Sequence, residues 1–339
     1  MKISIKLSGL ALLFVVLLSA CAHASNQTGR SQTTTEQIEV AGVPRTFIVH
    51  MPPQASNGTE KMPVVFMFHG GGGRADVAMK DTGWDRLADR EGFIAVFPNG
   101  TREDMNREAS FTDNQQTWND GSPRISSLGA IQRNSADIQF VRSMIEWLVQ
   151  NKNADPNRIY ATGFSNGASM SARIAHELND MVAAVAVVSG ADWNGWQDGY
   201  TGNRAMPIMF MTGDSDPLNP LAGGPVFIGA KQYGSKPPVQ QQVDKWVDLH
   251  QQMHGITNEP VSWQPHPGRR GVGEEQVRTA LYLNRGGKPA VAMIVLSRHG
   301  HNWPGGTVIL NHRMAGPNAQ TLDATPLIWE FFQQHSLWQ

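Results

Sequence analysis

Arg158-Ile159-Tyr160-Ala161-Thr162-Gly163-Phe164-Ser165-Asn166-Gly167-Ala168-Ser169-Met170 reads as a strand, a glycine-flanked turn and the start of a helix, with Ser165 at the apex. The turn is G-x-S-x-G. Its glycines remove Cβ atoms that would collide in so sharp a bend, and the serine hydroxyl is left exposed. With 34 glycines and 21 serines in 339 residues, about 0.2 such pentapeptides arise by chance. The bare motif therefore says little, and its weight comes from the strand before it and the helix after it.

The flanking sequence repeats that alternation. Val64-Val65-Phe66-Met67-Phe68 is a continuous apolar run, the signature of a strand covered on both faces. Trp84 to Glu91 predicts a helix and Phe93 to Phe97 a buried strand. Asp137 to Gln150 places Ile138, Val141, Ile145 and Leu148 on one helical face. Strands are predicted at Val182 to Val188, Pro207 to Met211, Val277 to Leu283 and Ala290 to Leu296, and a helix at Val239 to Met253. A last helix is expected from Thr325 as N-cap, with Pro326 in its first turn, to about His335. Near the start, Gln37 to Val40 and Arg45 to His50 suggest a hairpin around Ala41-Gly42, with Pro44 marking a sheet edge. The whole predicts an α/β fold, a mostly parallel central sheet with helices on both faces. Thr101 to Arg133 and Pro217 to Pro238 show little regular pattern and are expected as loops over the site.

Lys and Arg total 28 against 29 Asp and Glu, a net charge of −1 with no basic stripe, so nucleic acid is not expected as a partner. Only 17% of residues are charged, and Gly, Pro and Trp are plentiful, a profile that fits a loop-rich globular enzyme. The N-terminus reads as an export signal: Lys2 and Lys6 precede the apolar stretch Leu10 to Leu18, too short to span a bilayer comfortably. Leu18-Ser19-Ala20-Cys21 resembles a bacterial lipobox, with Cys21 lipidated as the mature N-terminus; Ala22-His23-Ala24 offers ordinary cleavage before Ser25 instead. The lipobox is favoured because the chain's single cysteine falls at its required position. The expected organisation is a signal over 1–20, a polar tether over 21–35 and one catalytic domain over 36–339. The protein would be periplasmic or an outer-membrane lipoprotein, membrane-bound through that lipid, or else secreted. Either cleavage leaves the mature globule without a disulfide.

A serine hydroxyl is a poor nucleophile unless a base accepts its proton and a third group orients the base. Downstream, the strand Pro207 to Met211 runs into Thr212-Gly213-Asp214-Ser215-Asp216-Pro217, which offers two candidate acids. Ala290 to Leu296 runs into Ser297-Arg298-His299-Gly300-His301-Asn302-Trp303-Pro304-Gly305, with two candidate histidines. Serine, acid, histidine is the chain order of the α/β-hydrolase fold, and parallel sheets hold their sites at the strands' C-terminal edge. His69-Gly70-Gly71-Gly72-Gly73 follows the strand Val64 to Phe68, and its backbone can approach a developing oxyanion. The expected donors are the amides of Gly71 and Asn166. His299 and His301 form an H-x-H pair with no third ligand near in sequence, so no metal or cofactor is expected. Trp118 and Trp303, beside Asn, Gly and Pro in predicted loops, are expected to line the cleft with His69. Trp193 and Trp196 stay open between core and cleft.

Nearly the whole mature chain resembles the esterase family that includes polyhydroxybutyrate depolymerases and feruloyl esterases. The resemblance is carried by His69-Gly70-Gly71-Gly72, Thr117-Trp118-Asn119-Asp120-Gly121, Asp155-Pro156-Asn157-Arg158, the Ser165 turn and Gly300-His301-Asn302-Trp303-Pro304-Gly305. It implies His301 rather than His299 as the base, and, through Gly213-Asp214-Ser215-Asp216, Asp216 rather than Asp214 as the acid. The implied substrates are hydroxyacid polyesters or their oligomers, with feruloyl or acetyl xylan esters next. A polymer-binding lipoprotein without catalysis is the reading from another class. Two departures stand out: Ala168 where the family's turn usually has a further glycine, and no disulfides near the site.

Overall fold

The computed structural model describes residues 29–337 except 57, 59, 124–128, 194–199, 201, 229, 258, 262–276, 308–309 and 320–321. The export signal, Cys21, the Ala22-His23-Ala24 cleavage site and Trp196 lie outside the described residues.

The strands are β1 (Gln32–Val40), β2 (Val43–Met51), β3 (Met62–Phe68), β4 (Ile94–Pro98), β5 (Ala154–Phe164), β6 (Ala184–Val188), β7 (Ile208–Gly213), β8 (Gly224–Ile228), β9 (Lys231–Lys236), β10 (Val277–Leu283) and β11 (Pro289–Leu296). The helices are α1 (Ala75–Thr82), α2 (Trp84–Glu91), α3 (Gly129–Gln132), α4 (Asp137–Asn151), α5 (Asn166–Glu177), α6 (Val239–Met253), α7 (His312–Ala315) and α8 (Ala324–Phe332). One sheet runs in the order β1-β2-β4-β3-β5-β6-β7-β11-β10. Pairing is parallel from β4 through β11 and antiparallel at both ends. The fold is that of an α/β hydrolase.

The period of two along each strand sends alternate side chains to opposite faces. Val64, Phe66 and Phe68 of β3 join one core with Phe140 and Met144 of α4, Met170 of α5 and Val243 of α6. Val65 and Met67 join the other with Trp84 of α2 and Ile328 and Phe332 of α8. Apolar side chains on both faces explain why the central strands read as unbroken hydrophobic runs.

Four expectations need correction. The tether does not extend to residue 35: Gln32–Thr35 already belong to β1 and pair with Ile48–Met51. An edge strand needs only backbone bonds and one covered face, so its mostly exposed polar residues gave no apolar signal. The segment Pro217 to Pro238 is not loop throughout, since β8 and β9 form an antiparallel hairpin within it. The segment Thr101 to Arg133 contains α3 and a bridge from Thr101 to Thr117. Thr325 does not cap the last helix: Asp323 occupies the N-cap, and Thr325 Oγ1 instead donates to the Thr82 carbonyl at 2.6 Å and accepts from Trp303 Nε1 at 3.1 Å. Helix α1 was unmarked because it follows the glycine run directly. It ends on Gly83, whose φ of 68° is the left-handed cap that separates it from α2.

Candidate active site

The C-terminal ends of β3, β5, β7 and β11 lie along one sheet edge, and each releases one part of the site. From β5 the chain turns at Ser165, which has φ 55° and ψ −117°. A positive φ costs a non-glycine residue on the order of 1–3 kcal/mol. The turn is pinned by the Ser165 N–H donating to the Val188 carbonyl at 3.0 Å and by its own carbonyl accepting from Ser169 N–H at 3.0 Å. The second motif glycine is a matter of space. A Cβ on Gly167 would lie 2.2 Å from the Phe68 carbonyl oxygen and 2.4 Å from that of His69. The departure at Ala168 is accommodated across the turn, because a Cβ on Gly190 would come within 2.5 Å of the Ala168 methyl.

Ser165 Oγ lies 2.8 Å from His301 Nε2, and His301 Nδ1 lies 2.8 Å and 3.0 Å from the two carboxylate oxygens of Asp216. A carboxylate can only accept, so Nδ1 carries the proton and Nε2 faces the hydroxyl as an acceptor. Asp216 is buried, which opposes its ionisation, yet its pKa sits below the ordinary carboxylate value. His301, the Lys236 ammonium and the Asn219 N–H together outweigh the burial. Its Oδ1 also accepts from the N–H groups of Leu218 at 2.8 Å and Asn219 at 2.7 Å.

The competing candidates are engaged elsewhere. The His299 ring nitrogens face the carbonyls of Ala319 and Asn302. Asp214 accepts the Arg298 N–H at 2.8 Å, fixing the start of the histidine loop. The H-x-H pair therefore does not converge on one point.

The glycine loop rides against the turn: a Cβ built on Gly71 would sit 3.7 Å from that of Asn166. Asn166 opens α5, so its N–H has no intrahelical acceptor. His69 is a brace for this loop. Its Nδ1–H donates to the Gly70 carbonyl at 2.7 Å and its Nε2 accepts the Gly100 N–H at 3.0 Å. Burial, aided by Arg45, lowers its pKa to about 4, against the pull of the Gly70 carbonyl and Asp76. Both ring nitrogens are committed, so His69 touches the cavity wall without a free nitrogen for substrate.

Trp118 differs from expectation. It is fully buried, packs edge-on to Phe68 with centroids 5.2 Å apart, and donates Nε1–H to the His69 carbonyl at 2.9 Å. It supports the glycine loop from behind and does not line the cavity. Trp303 is buried too but does form part of the cavity wall. Trp193 is buried.

Sequence reasoning missed the side chain of Asn166. Its Oδ1 accepts the Trp118 N–H at 2.8 Å, while Nδ2 donates to the Trp118 carbonyl at 3.1 Å and to Asp120 Oδ2 at 2.8 Å. That loop is held in turn by Asp137, which accepts the Asn119 N–H at 2.8 Å and the Arg45 guanidinium at 2.7 Å. The family-like segment Thr117-Trp118-Asn119-Asp120-Gly121 was the available signal. The partner position, 48 residues on, was not readable.

A cavity of about 590 Å³ opens over Ser165 and His301, with a largely apolar wall that includes Met67, Phe164, Val226, Leu310 and Met314. Arg74, Asp81 and Lys236 are its charged members. A strained serine, an imidazole and a buried carboxylate in series can run acyl transfer.

A family model for esterase PHB depolymerases matches residues 45–241. The chain belongs to the esterase PHB depolymerase family. NocK of Nocardia uniformis subsp. tsuyamanensis, which carries an esterase name, is 25% identical over 88% of this chain and 82% of its own length. Feruloyl esterase B of Piromyces equi is 26% identical over 74% of this chain and 41% of its own. Poly(3-hydroxyalkanoate) depolymerase C of Paucimonas lemoignei is 27% identical over 39% of this chain and 28% of its own. Among solved structures, an acetyl xylan esterase from Aspergillus awamori aligns with a TM-score of 0.52 at 14% identity, over 88% of this chain and 99% of that one. A dienelactone hydrolase-like phosphotriesterase from metagenomic libraries aligns with a TM-score of 0.54 at 13% identity, over 91% and 100%. By family this chain is an esterase, built on the α/β-hydrolase fold.

Proposed function

We propose that the esterase cleaves carboxylic esters through Ser165, His301 and Asp216 and a covalent acyl-enzyme. Ser165 Oγ attacks the acyl carbon while His301 Nε2 takes its proton. Asp216 holds the imidazole and stabilises its positive form. The amides of Gly71 and Asn166 receive the oxyanion, each donor being worth about 3 kcal/mol of barrier. Collapse passes the proton from His301 to the leaving alcohol oxygen, and water then repeats the sequence in reverse. The observation that carries this reading is the unbroken hydrogen-bonded relay from Oγ to carboxylate, at 2.8 Å on each side of the imidazole.

The favoured substrates are oligomers of short hydroxyacids, which suit a large apolar cavity whose rim residues Val77 and Phe111 reach solvent. The second reading, feruloyl or acetyl xylan esters, is supported by relatives of those names. Hydroxybutyrate oligomers, methyl ferulate and acetylated xylan assayed side by side separate the two. The mechanism is tested by Ser165→Ala, which is expected to abolish both fluorophosphonate labelling and hydrolysis of p-nitrophenyl acetate. Equal hydrolysis by variant and wild type would overturn it. We also propose export, with Cys21 lipidated. The mass of the mature N-terminus decides this, since an unmodified chain starting at Ser25 would refute lipidation.

A further inference from the structure

The mechanism above uses Asp216 but leaves Lys236, a buried cation in the same cavity wall, without a task. Lys236 ends β9, opposite Gly224 in the hairpin register, and is followed by Pro237 and Pro238. Its Nζ donates to Asn219 Oδ1 at 2.8 Å. Asn219 in turn donates its N–H to Asp216 Oδ1 at 2.7 Å and its Nδ2–H to Thr212 Oγ1 at 3.0 Å. The polar chain therefore runs Lys236, Asn219, Asp216, His301, Ser165. Hairpin closure at its base, where Gly223 N–H donates to the Pro220 carbonyl at 2.8 Å and Val239 N–H to that of Leu221 at 3.1 Å, carries Lys236 back to the acid.

We propose that Lys236 is a positioning residue for the hydrolytic relay, holding Asn219 against Asp216 and balancing the carboxylate's charge so that the basicity of the imidazole is limited. The inference rests on the proposed roles of Ser165, His301 and Asp216. Without Lys236 the buried carboxylate would rely on His301 and on the N–H dipoles of Leu218 and Asn219, an expensive arrangement in a medium of low polarisability. During attack the imidazole becomes positive and draws on the same carboxylate. An ammonium beside that carboxylate offsets part of its field, which makes the protonated imidazole less favourable than it would otherwise be. The charged groups that bear on Asp216 are His301 from the histidine loop and Lys236 from β9. Asp214, two residues earlier, is engaged with Arg298 N–H and lies 4.0 Å from Arg278. Lys236 also contributes to holding Asp216 below the ordinary carboxylate pKa.

The test is the pH profile of kcat/KM for p-nitrophenyl acetate in Lys236→Gln, which can keep a donor to Asn219 but loses the charge, and Lys236→Met, which loses both. Removal of the cation leaves the imidazole beside an uncompensated carboxylate, so its protonated form persists to higher pH. Both variants are expected to move the acid limb upward by about half a pH unit, less than the shift of about one unit or more that a charge in direct contact produces, because Lys236 acts through Asn219 and Asp216. Lys236→Arg is expected to keep the wild-type limb. If Lys236→Met does not fold by circular dichroism, Lys236→Gln carries the test alone. A uniform fall in activity with the limb in its wild-type place refutes the inference and leaves a packing role. Failure of the underlying mechanism is distinguishable, because Ser165→Ala would then retain wild-type hydrolysis.

Discussion

Acid is expected to unfold this esterase through histidines buried in their neutral form, and His250 gives the cleanest case. It lies on α6 away from Ser165 and meets the Met206 carbonyl at 2.9 Å through Nε2. Burial lowers its pKa from 6.5 to about 4, with His254 and Arg204 adding to the effect and the Met206 carbonyl opposing it. A histidine whose folded pKa is depressed is protonated more readily in the unfolded chain. Its contribution to stability is therefore complete above the unfolded value of 6.5 and is lost as pH falls toward about 4. Between about pH 7.5 and about pH 5 that loss is about 2 kcal/mol per group. His69 is lowered to about 4, and His335 to about 3 by burial with help from Lys288, Arg204 and His250. Three such groups together remove about 6 kcal/mol, comparable with the whole stability of many domains. Urea unfolding at the two pH values measures it. His250→Gln keeps a donor for the Met206 carbonyl and cannot titrate, so its loss between the two pH values is expected to be smaller by about 2 kcal/mol. An identical loss in variant and wild type would refute the reasoning.

Three further outcomes follow from contacts around the site. Gly167→Ala places a methyl 2.2 Å from the Phe68 carbonyl oxygen, where only backbone can yield. It is expected to lower stability by more than about 3 kcal/mol, read by thermal melting, and a native melting temperature would refute the close approach. Arg45→Met leaves Asp137 buried without its cation, at 0% side-chain exposure, and is expected to cost about 3–5 kcal/mol in urea unfolding. A cost below about 1 kcal/mol would mean that the Asn119 N–H alone satisfies the carboxylate. Asn166→Ala keeps the backbone donor but removes three hydrogen bonds to Trp118 and Asp120. It is expected to reduce kcat about 10-fold or more with a smaller change in KM, and a change confined to KM would sink the positioning role.

The parts legible in the sequence were those whose signal is local. Val64 to Phe68 announces a doubly covered strand because every residue of it is apolar, and Ser165 is announced by the glycines its turn requires. The pairs Asp214/Asp216 and His299/His301 were narrowed only by resemblance. Nothing local distinguishes two carboxylates two residues apart; the difference is that Asp214 accepts from Arg298 while Asp216 lies beside His301. Trp118, unlike Trp303, departs from expectation for the same reason. A loop position beside Asn and Gly suggests a cleft, but Trp118 is turned inward by its bond to the His69 carbonyl, 49 residues away. Thr325 likewise has the composition of a cap and was drawn into a tertiary bond with Thr82.

The two halves of the site follow opposite electrostatic designs, and this decides which fails first in acid. On the glycine-loop side, a neutral His69 joins the loop to Gly100, with Nε2 as an acceptor. A proton on that nitrogen removes the acceptor and turns the Gly100 N–H against a cation. On the acid side, Asp216 is surrounded by His301, Lys236 and backbone N–H groups, and its pKa is held below the ordinary carboxylate value. Its contribution to stability is present above the unfolded carboxylate pKa and is lost only as pH falls through the lower folded value. Falling pH therefore reaches the His69 brace while Asp216 is still ionised. Beyond the acid limb set by the imidazole, further acid is therefore expected to loosen the glycine loop while the Asp216–His301 contact is still intact.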